Sequence, residues 1–220
     1  MKNGRALELE GAVRRAEAIL VTWFLGKMTG HGIADVVFGD HSPEGHLPIT
    51  FPLKGGQQPL YYNRFSSGRP CNWGSFYTNC YHDVPNEALY SFGHGLSYSR
   101  VEYGLVGLSG DMPWHGPMTV SLNVSNTGPT AVHELVQLYV HDQVAMKVRP
   151  VRELKAFKKL WLEVNETKEV VFQLRRQQLE FAPPAHGAKQ VSVEPGDFLL
   201  WVANSSSTGR PTRFRLAPLI

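Results

Sequence analysis

The sequence predicts a mainly β chain: a β-sandwich of the fibronectin-III or immunoglobulin kind, preceded by an incomplete α/β-sandwich segment and a long loop. Three observations carry this. From residue 101 onward, apolar and polar residues alternate with period two in one short run after another. Residues 1–52 hold two short helix-like patterns and one continuous apolar run, and residues 53–100 are dense in Tyr, Gly, Pro, Asn and Ser.

Taken in order, Leu7 to Ala18 places Leu7, Ala12, Val13 and Ala16 at loosely helical spacing, with Glu8, Glu10, Arg14, Arg15 and Glu17 on the other faces. Ile19 to Leu25 is apolar apart from Thr22 and short enough for a buried strand. Ile33 to Asp40 reads as a short helix stopped by Gly39, a residue that readily takes the left-handed backbone of a helix C-terminus. Leu47 to Pro52 is extended, and its prolines exclude it from a sheet centre. A parallel sheet needs several strand–helix units. Residues 1–52 are therefore expected to be the C-terminal remnant of an α/β domain. Residues 53–100 read as a connecting loop, and irregular chain of that length needs a surface to pack on.

Strands are expected at Val101–Leu108, Met118–Val124, Leu135–Val140, Val151–Leu162, Val170–Leu174, Phe198–Val202 and Arg213–Leu216, with turns at Asn126-Thr127-Gly128-Pro129 and Glu194-Pro195-Gly196-Asp197. About seven short strands with regular turns across 101–220 describe a two-sheet sandwich.

Composition narrows the function classes. Of 220 residues, 42% are hydrophobic and 19% charged, which excludes a disordered tail. No apolar run approaches the ~18 residues of a membrane span. The net charge of +3 is spread as 9 basic and 9 acidic residues in 1–110 and 13 and 10 in 111–220, too small an excess to imply nucleic acid. The first residues lack the apolar core and small-residue cleavage site of a secretion signal.

Among candidate sites, His31, His41 and His46 lie near Asp35, Asp40 and Glu44, but their spacing fits no compact metal motif and Gly and Pro interrupt it. No metal and no cofactor is assigned. Arg149, Arg152, Lys155, Lys158 and Lys159 read as a solvated basic face. Sequons stand at Asn123, Asn165 and Asn204. There is no GxSxG, no Cys beside a plausible His and no phosphate-binding Gly loop. One constellation remains: Tyr61, Tyr62, Trp73 and Tyr77, with Phe76 and Tyr81 nearby. Flat aromatic faces stack on the apolar faces of sugar rings or on one another, so these four are the candidate substrate-contact residues. Cys71 and Cys80 are either two free thiols or a disulfide closing a short loop, which would stabilise the fold by ~2–3 kcal/mol.

Several stretches together resemble the C-terminal part of glycoside hydrolase family 3, its bacterial periplasmic β-glucosidase branch in particular. In order they are Lys2 to Leu7, Gly32 to Asp40, Ser42 to Pro52, Tyr61-Tyr62-Asn63, Ser67 to Pro70, Asp83 to Tyr90, Phe92 to Tyr98, Val124 to Gly128, Val136 to Val140 and Arg149 to Lys159. The pattern departs at Leu25 and Thr29, where the family has Pro and Gly in a turn, at Ser91, where Pro is common, and at His94, where Tyr is common.

The resemblance implies a full enzyme of a (β/α)8 barrel, an α/β sandwich and a fibronectin-III-like domain. Residues 1–52 would end the second and 101–220 would form the third. Such enzymes hydrolyse β-glucosidic bonds with retention, using an Asp nucleophile and a Glu acid/base, both upstream of Met1 by this match. Retention requires two carboxylates about 5–5.5 Å apart, one ionised and one protonated. The expectation is a fragment that supports catalytic domains and is inactive alone, in a periplasmic or secreted setting. Its partners would be the barrel and the remaining α/β portion, with β-glucosides or oligosaccharides as ligands. The alternative is a non-catalytic carbohydrate-binding or protein-interaction module. Apolar surface at Ile19–Leu25 and Val36–Phe38, left without its missing strands, would drive self-association.

Overall fold

The computed structural model describes residues 1–181 and 193–218. Eight strands among them pair into two antiparallel sheets. In the first, β1 (Val101–Tyr103) and β2 (Gly107–Leu108) share one side of β3 (Pro117–Asn126), and β6 (Thr167–Arg175) takes the other. The second runs in the order β5 (Glu153–Leu162), β4 (Val132–Asp142), β7 (Gly196–Ala203), β8 (Thr212–Leu216).

The period-two pattern has its expected cause. Met118, Val120, Leu122 and Val124 of β3, with Val170, Phe172 and Leu174 of β6, face Val132, Val136, Leu138 and Val140 of β4 and Phe198, Leu200 and Val202 of β7. Phe198 and Phe214 stack at 5.2 Å across β7 and β8. Each such side chain stabilises the fold by about 1.5–3 kcal/mol through removal from water. This is the fibronectin-like sandwich that the alternation predicts.

Two strand expectations need correction. Val101–Leu108 is not one strand: pairing with β3 runs in register from Val101↔Asn126 to Tyr103↔Val124, with the Gly104 N–H still bonded to Asn123 O (2.8 Å), and resumes one residue out of step at Gly107↔Ser121. The strand placed at Val151 starts at Glu153 instead, after Pro150, which has no N–H to donate.

In β4, Gln137, Leu138, Tyr139 and Val140 are all buried, so both faces are covered at its centre. Continuous burial of this kind is why Leu135 to Val140 reads as a nearly unbroken apolar run rather than an alternation. Glu134 is also buried; the Tyr103 hydroxyl donates to its carboxylate at 2.6 Å, and burial holds that carboxyl above the ordinary range.

The first half departs further from expectation. Only Gly11–Arg14 of the Leu7–Ala18 segment is helical, a single turn we label α1. Ile19–Leu25 forms no strand. Among the described residues its backbone bonds to Met1, whose ammonium donates to Leu20 O (2.5 Å) and whose carbonyl accepts from Thr22 N (2.9 Å), and one residue is no ladder. Ile19, Val21 and Trp23 instead pack on a small second core of Ala6, Leu9 and Phe51. Helix α2 (Thr29–Phe38) starts earlier than the sequence suggests and ends as predicted, with Gly39 at φ 89°. Phe24, Leu25, Met28, Val37 and Phe38 are exposed around it, while Ile19, Val21 and Val36 are half-buried.

Two outcomes test these assignments. Leu138→Ala should cost ~3 kcal/mol of unfolding free energy in urea, the usual cost of a core cavity. Glu134→Gln keeps an acceptor for Tyr103 but removes the buried acid. Because the folded chain retains a proton there that the unfolded chain releases near pH 4.5, wild-type stability falls as pH rises through the window above that value. Urea titrations across that window should find the decline smaller in the variant.

Candidate functional site

Residues 89–95 run as a seam between the first half of the chain and the outer face of the β4–β7 sheet. On one side Phe51 and Tyr90 pair, with Phe51 N donating to Tyr90 O at 2.8 Å, and Leu47 exchanges hydrogen bonds with Gly93 and His94 at 2.8 Å each. On the other side the Gln137 amide donates to Gly93 O (3.2 Å) and Asn204 O (2.7 Å), and its oxygen accepts from the Tyr139 hydroxyl (2.5 Å). Ser206 N donates to Phe92 O at 2.9 Å. Tyr62 stacks on Phe92 at 4.3 Å and meets Tyr139 edge-on at 6.0 Å. Gly93 has φ 80°, and a Cβ there would fall 2.2 Å from the Gln137 oxygen, so two separate constraints require glycine. His94 stacks on Tyr90 at 5.2 Å.

A polar clamp lies beside the seam. The Glu44 carboxylate meets His41 Nε2 at 2.8 Å, His133 Nδ1 of β4 at 3.1 Å and the Lys159 ammonium of β5. The Lys159 hydrogen bond foremost holds its carboxyl below the ordinary range. His41 is thus tied to the Glu44 carboxylate. His46 is half-buried with Nδ1 unpartnered, and desolvation pulls His46 and His94 below the usual imidazole range. His31 is exposed near the start of α2.

The aromatic loop leaves the seam and returns to it. Cys71 and Cys80 are joined as a disulfide, which resolves the open alternative. Inside this closure, the Asn72 side chain accepts from Gly74 N at 3.0 Å, and the Thr78 hydroxyl lies 2.9 Å from the carbonyls of both Asn72 and Ser75. Outside it, Asn79 N donates to Arg69 O, while Asn86 accepts from Tyr81 N and donates to Asn79 O. The result is a braced loop whose rings face solvent: Trp73 is 62% exposed, Phe76 fully so, Tyr77 80% and Tyr61 64%. The structure therefore brings Trp73 and Tyr77 together on the braced loop, with Phe76, and leaves Tyr61 on its approach. Tyr62 stands apart, packed against Phe92 with its hydroxyl 3.4 Å from Leu154 N.

The bracing by Asn72, Thr78 and Asn86 escaped the sequence reading, although Asn72-Trp73-Gly74 is a turn signal in which the Asn side chain bonds the backbone two residues on. The basic cluster also differs from expectation. Lys158 is solvated, but Lys159 holds Glu44, Arg149 and Lys155 pair with Glu153 at 2.8 and 3.3 Å, Arg149 also lies over Phe181, and Arg152 lies 4.3 Å over Trp201 while donating to Ser206 and Thr208 carbonyls. A cleft of about 330 Å³ near Tyr81 is lined by Glu8, Glu10, Lys54 and Asp83. There Lys54 and the Gly55 N–H hold Glu8 low, which suits a structural ion pair and not a protonated acid.

Residues 1–98 match the glycosyl hydrolase family 3 C-terminal domain and residues 134–206 the fibronectin type III-like domain. The periplasmic β-glucosidase of Salmonella typhimurium is 39% identical over 219 residues, which cover 98% of this chain and 28% of that protein. A β-xylosidase of Formosa agariphila is 38% identical over 205 residues, 93% of this chain and 27% of its own length. Among solved structures, a mutant β-glucosidase from Listeria innocua in complex with laminaribiose superimposes with a TM-score of 0.91 at 34% identity, across 99% of this chain and 30% of the other. The chain thus spans under a third of the length of the relatives it matches.

Gly93→Ala should cost about 2–4 kcal/mol, combining positive-φ strain with disruption of buried Gln137 bonds, measurable as a lowered urea midpoint. His46 and His94 set a pH dependence of the opposite sign to that of Glu134. With both depressed in the folded chain, stability is full above pH 6.5 and falls as the pH drops through their folded values. Replacing both by Gln should flatten that acid limb in melting curves recorded below neutrality.

Proposed function

We propose that this chain, which belongs to glycoside hydrolase family 3 and corresponds to its C-terminal part, completes and stabilises a β-glycosidase whose catalytic groups it does not itself supply. One observation carries the reading: the apolar residues Phe24, Leu25, Met28, Val37 and Phe38 lie exposed on and just before helix α2, where further elements of a larger domain would pack. Several large apolar side chains exposed within one short stretch mark an association surface. The alignment supports this, since nearly the whole chain matches while most of each relative lies outside the match.

Three carboxylates described above are committed elsewhere. Glu8 and Glu44 are held ionised by lysines, and Glu134 is inside the sandwich. None is offered as a protonated acid across a sugar-sized site from an ionised partner, the arrangement that retention requires. The β-glucosidase and β-xylosidase names of the relatives support a β-linked sugar as the substrate of the assembled enzyme. A disulfide at Cys71–Cys80 and the periplasmic setting of the Salmonella relative support an oxidising compartment outside the cytoplasm. No helix among the described residues is long and apolar enough to cross a membrane.

The purified chain should not hydrolyse an aryl β-glucoside or aryl β-xyloside. Activity should appear when it is co-expressed with the barrel and remaining α/β portion of a family 3 enzyme lacking its own C-terminal part. Phe38→Asp should abolish that rescue while leaving the sandwich melting unchanged. Robust turnover by the chain alone would overturn the proposal.

A further inference from the structure

We propose that His46 and His94 form an acid-operated latch: when both imidazoles take up protons, the pairing of residues 46–51 with residues 89–95 opens locally, while the sandwich stays folded and the Glu44 clamp stays closed. The latch is a property of this chain by itself and is independent of the assembly proposed above.

Leu47 N donates to His94 O and Gly93 N to Leu47 O, each at 2.8 Å, so His46 and His94 flank the same two hydrogen bonds. Both rings are closely held. A Cβ on Gly95 would fall 2.6 Å from Gly45 O and 3.0 Å from Cγ and Cδ2 of His46, which shows how tightly the two stretches approach there. His94 lies against Tyr90 at 5.2 Å with an interplanar angle of 19°. The buried Nδ1 of His46 has no hydrogen-bond partner among the described residues. A neutral imidazole can leave one nitrogen as an unused lone pair, whereas an imidazolium carries N–H on both nitrogens and needs an acceptor for each.

The charges around the pair act in the same direction. Burial disfavours the His46 cation most; the nearby Glu44 backbone favours it, and His94 and the Lys159 ammonium of β5 oppose it again. Burial also disfavours the His94 cation. In the closed form both groups therefore titrate below 6.5, the ordinary imidazole value, which the open form recovers. Below that pH the open form binds more protons, so opening grows in acid and is absent above it. The clamp responds in the opposite sense. The Lys159 hydrogen bond keeps Glu44 ionised here, and protons gained by His41 and His133 face its carboxylate at 2.8 and 3.1 Å. Tyr98 adds to that side, its N–H bonded to Ser42 Oγ and its hydroxyl to Val36 O. On the other side Gln137 holds Gly93 O and Ser206 N holds Phe92 O. The opening is confined between these two fastenings.

Amide hydrogen exchange of the whole chain, read by NMR from about pH 7.5 to about pH 5 and corrected for intrinsic exchange rates, should show Leu47 and Gly93 opening more as the pH falls. Each imidazole contributes up to about tenfold per pH unit between its open and closed titration points, so a rise of roughly ten- to hundredfold is expected. The Ser206 amide, bonded to Phe92 O, and the Leu138 amide of β4 should keep their protection. His46→Gln with His94→Tyr should remove the rise, since tyrosine keeps a ring beside Tyr90 without gaining a proton in this range. His41→Gln, which alters only the clamp, should leave the rise in place. In the wild type the ring resonances of His46 and His94 should titrate in the same window as the exchange, a readout that needs no variant to fold. Protection at Leu47 and Gly93 that is constant with pH, that falls only together with Leu138, or that falls equally in the double variant overturns the proposal. So does loss of the effect in His41→Gln, or ring titration outside the window of exchange.

Discussion

A single buried amide, Gln137, ties the two halves of the molecule together. It points outward from the centre of β4, where sandwich strands usually meet water, and it is almost fully enclosed. Its donors are taken by Gly93 and Asn204 and its acceptor by Tyr139. A buried polar group left without such partners costs about 1–3 kcal/mol. Once residues 89–95 cover this face, the amide must find its partners in them and in the sandwich, and that requirement fixes how the seam lies across the sheet.

The consequences spread in both directions from this contact. Gly93 must lack a side chain to reach Gln137, and Phe92 is then placed to stack on Tyr62, which anchors the start of the aromatic loop. On the far side, Leu47 and Phe51 pair with the same seam and carry the small core of Ala6 and Leu9. The Glu44 clamp to His133 and Lys159 adds a polar fastening at the edge of the same face. Irregular chain of this length stays ordered because it covers one face of a sheet that already has a packed core on the other.

Much of the sandwich was legible in the sequence because its strands are buried on one face only. Met118 to Val124 and Val170 to Leu174 alternate cleanly, and the structure places those apolar residues in the core. The helix stop at Gly39 was legible for a local reason, the left-handed backbone that glycine alone adopts freely. Ile19–Leu25 reads as a strand in the sequence and is none in the structure, because an apolar run records burial and not pairing. Its burial is real and comes from Phe51 and its neighbours, without a strand beside it. At the candidate site, the aromatics were legible by composition. Their orientation was not, since exposed and packed tyrosines such as Tyr61 and Tyr62 are adjacent and chemically identical.

The sequence by itself determined the fold class, the places where chain direction changes and the family to which the ordered motifs belong, because periodicity, turn residues and motif order are local properties. The tertiary structure alone decided that Cys71 and Cys80 bond, that the basic residues Arg149 and Arg152 are structural partners rather than a free charged face, and that Gln137 sits beneath Gly93. Each of these depends on residues far apart in the chain or on the path of a loop between them. The physical reason is that hydrogen-bond satisfaction and close packing are properties of what surrounds a side chain, and for a loop laid across a sheet the surroundings come from elsewhere in the sequence.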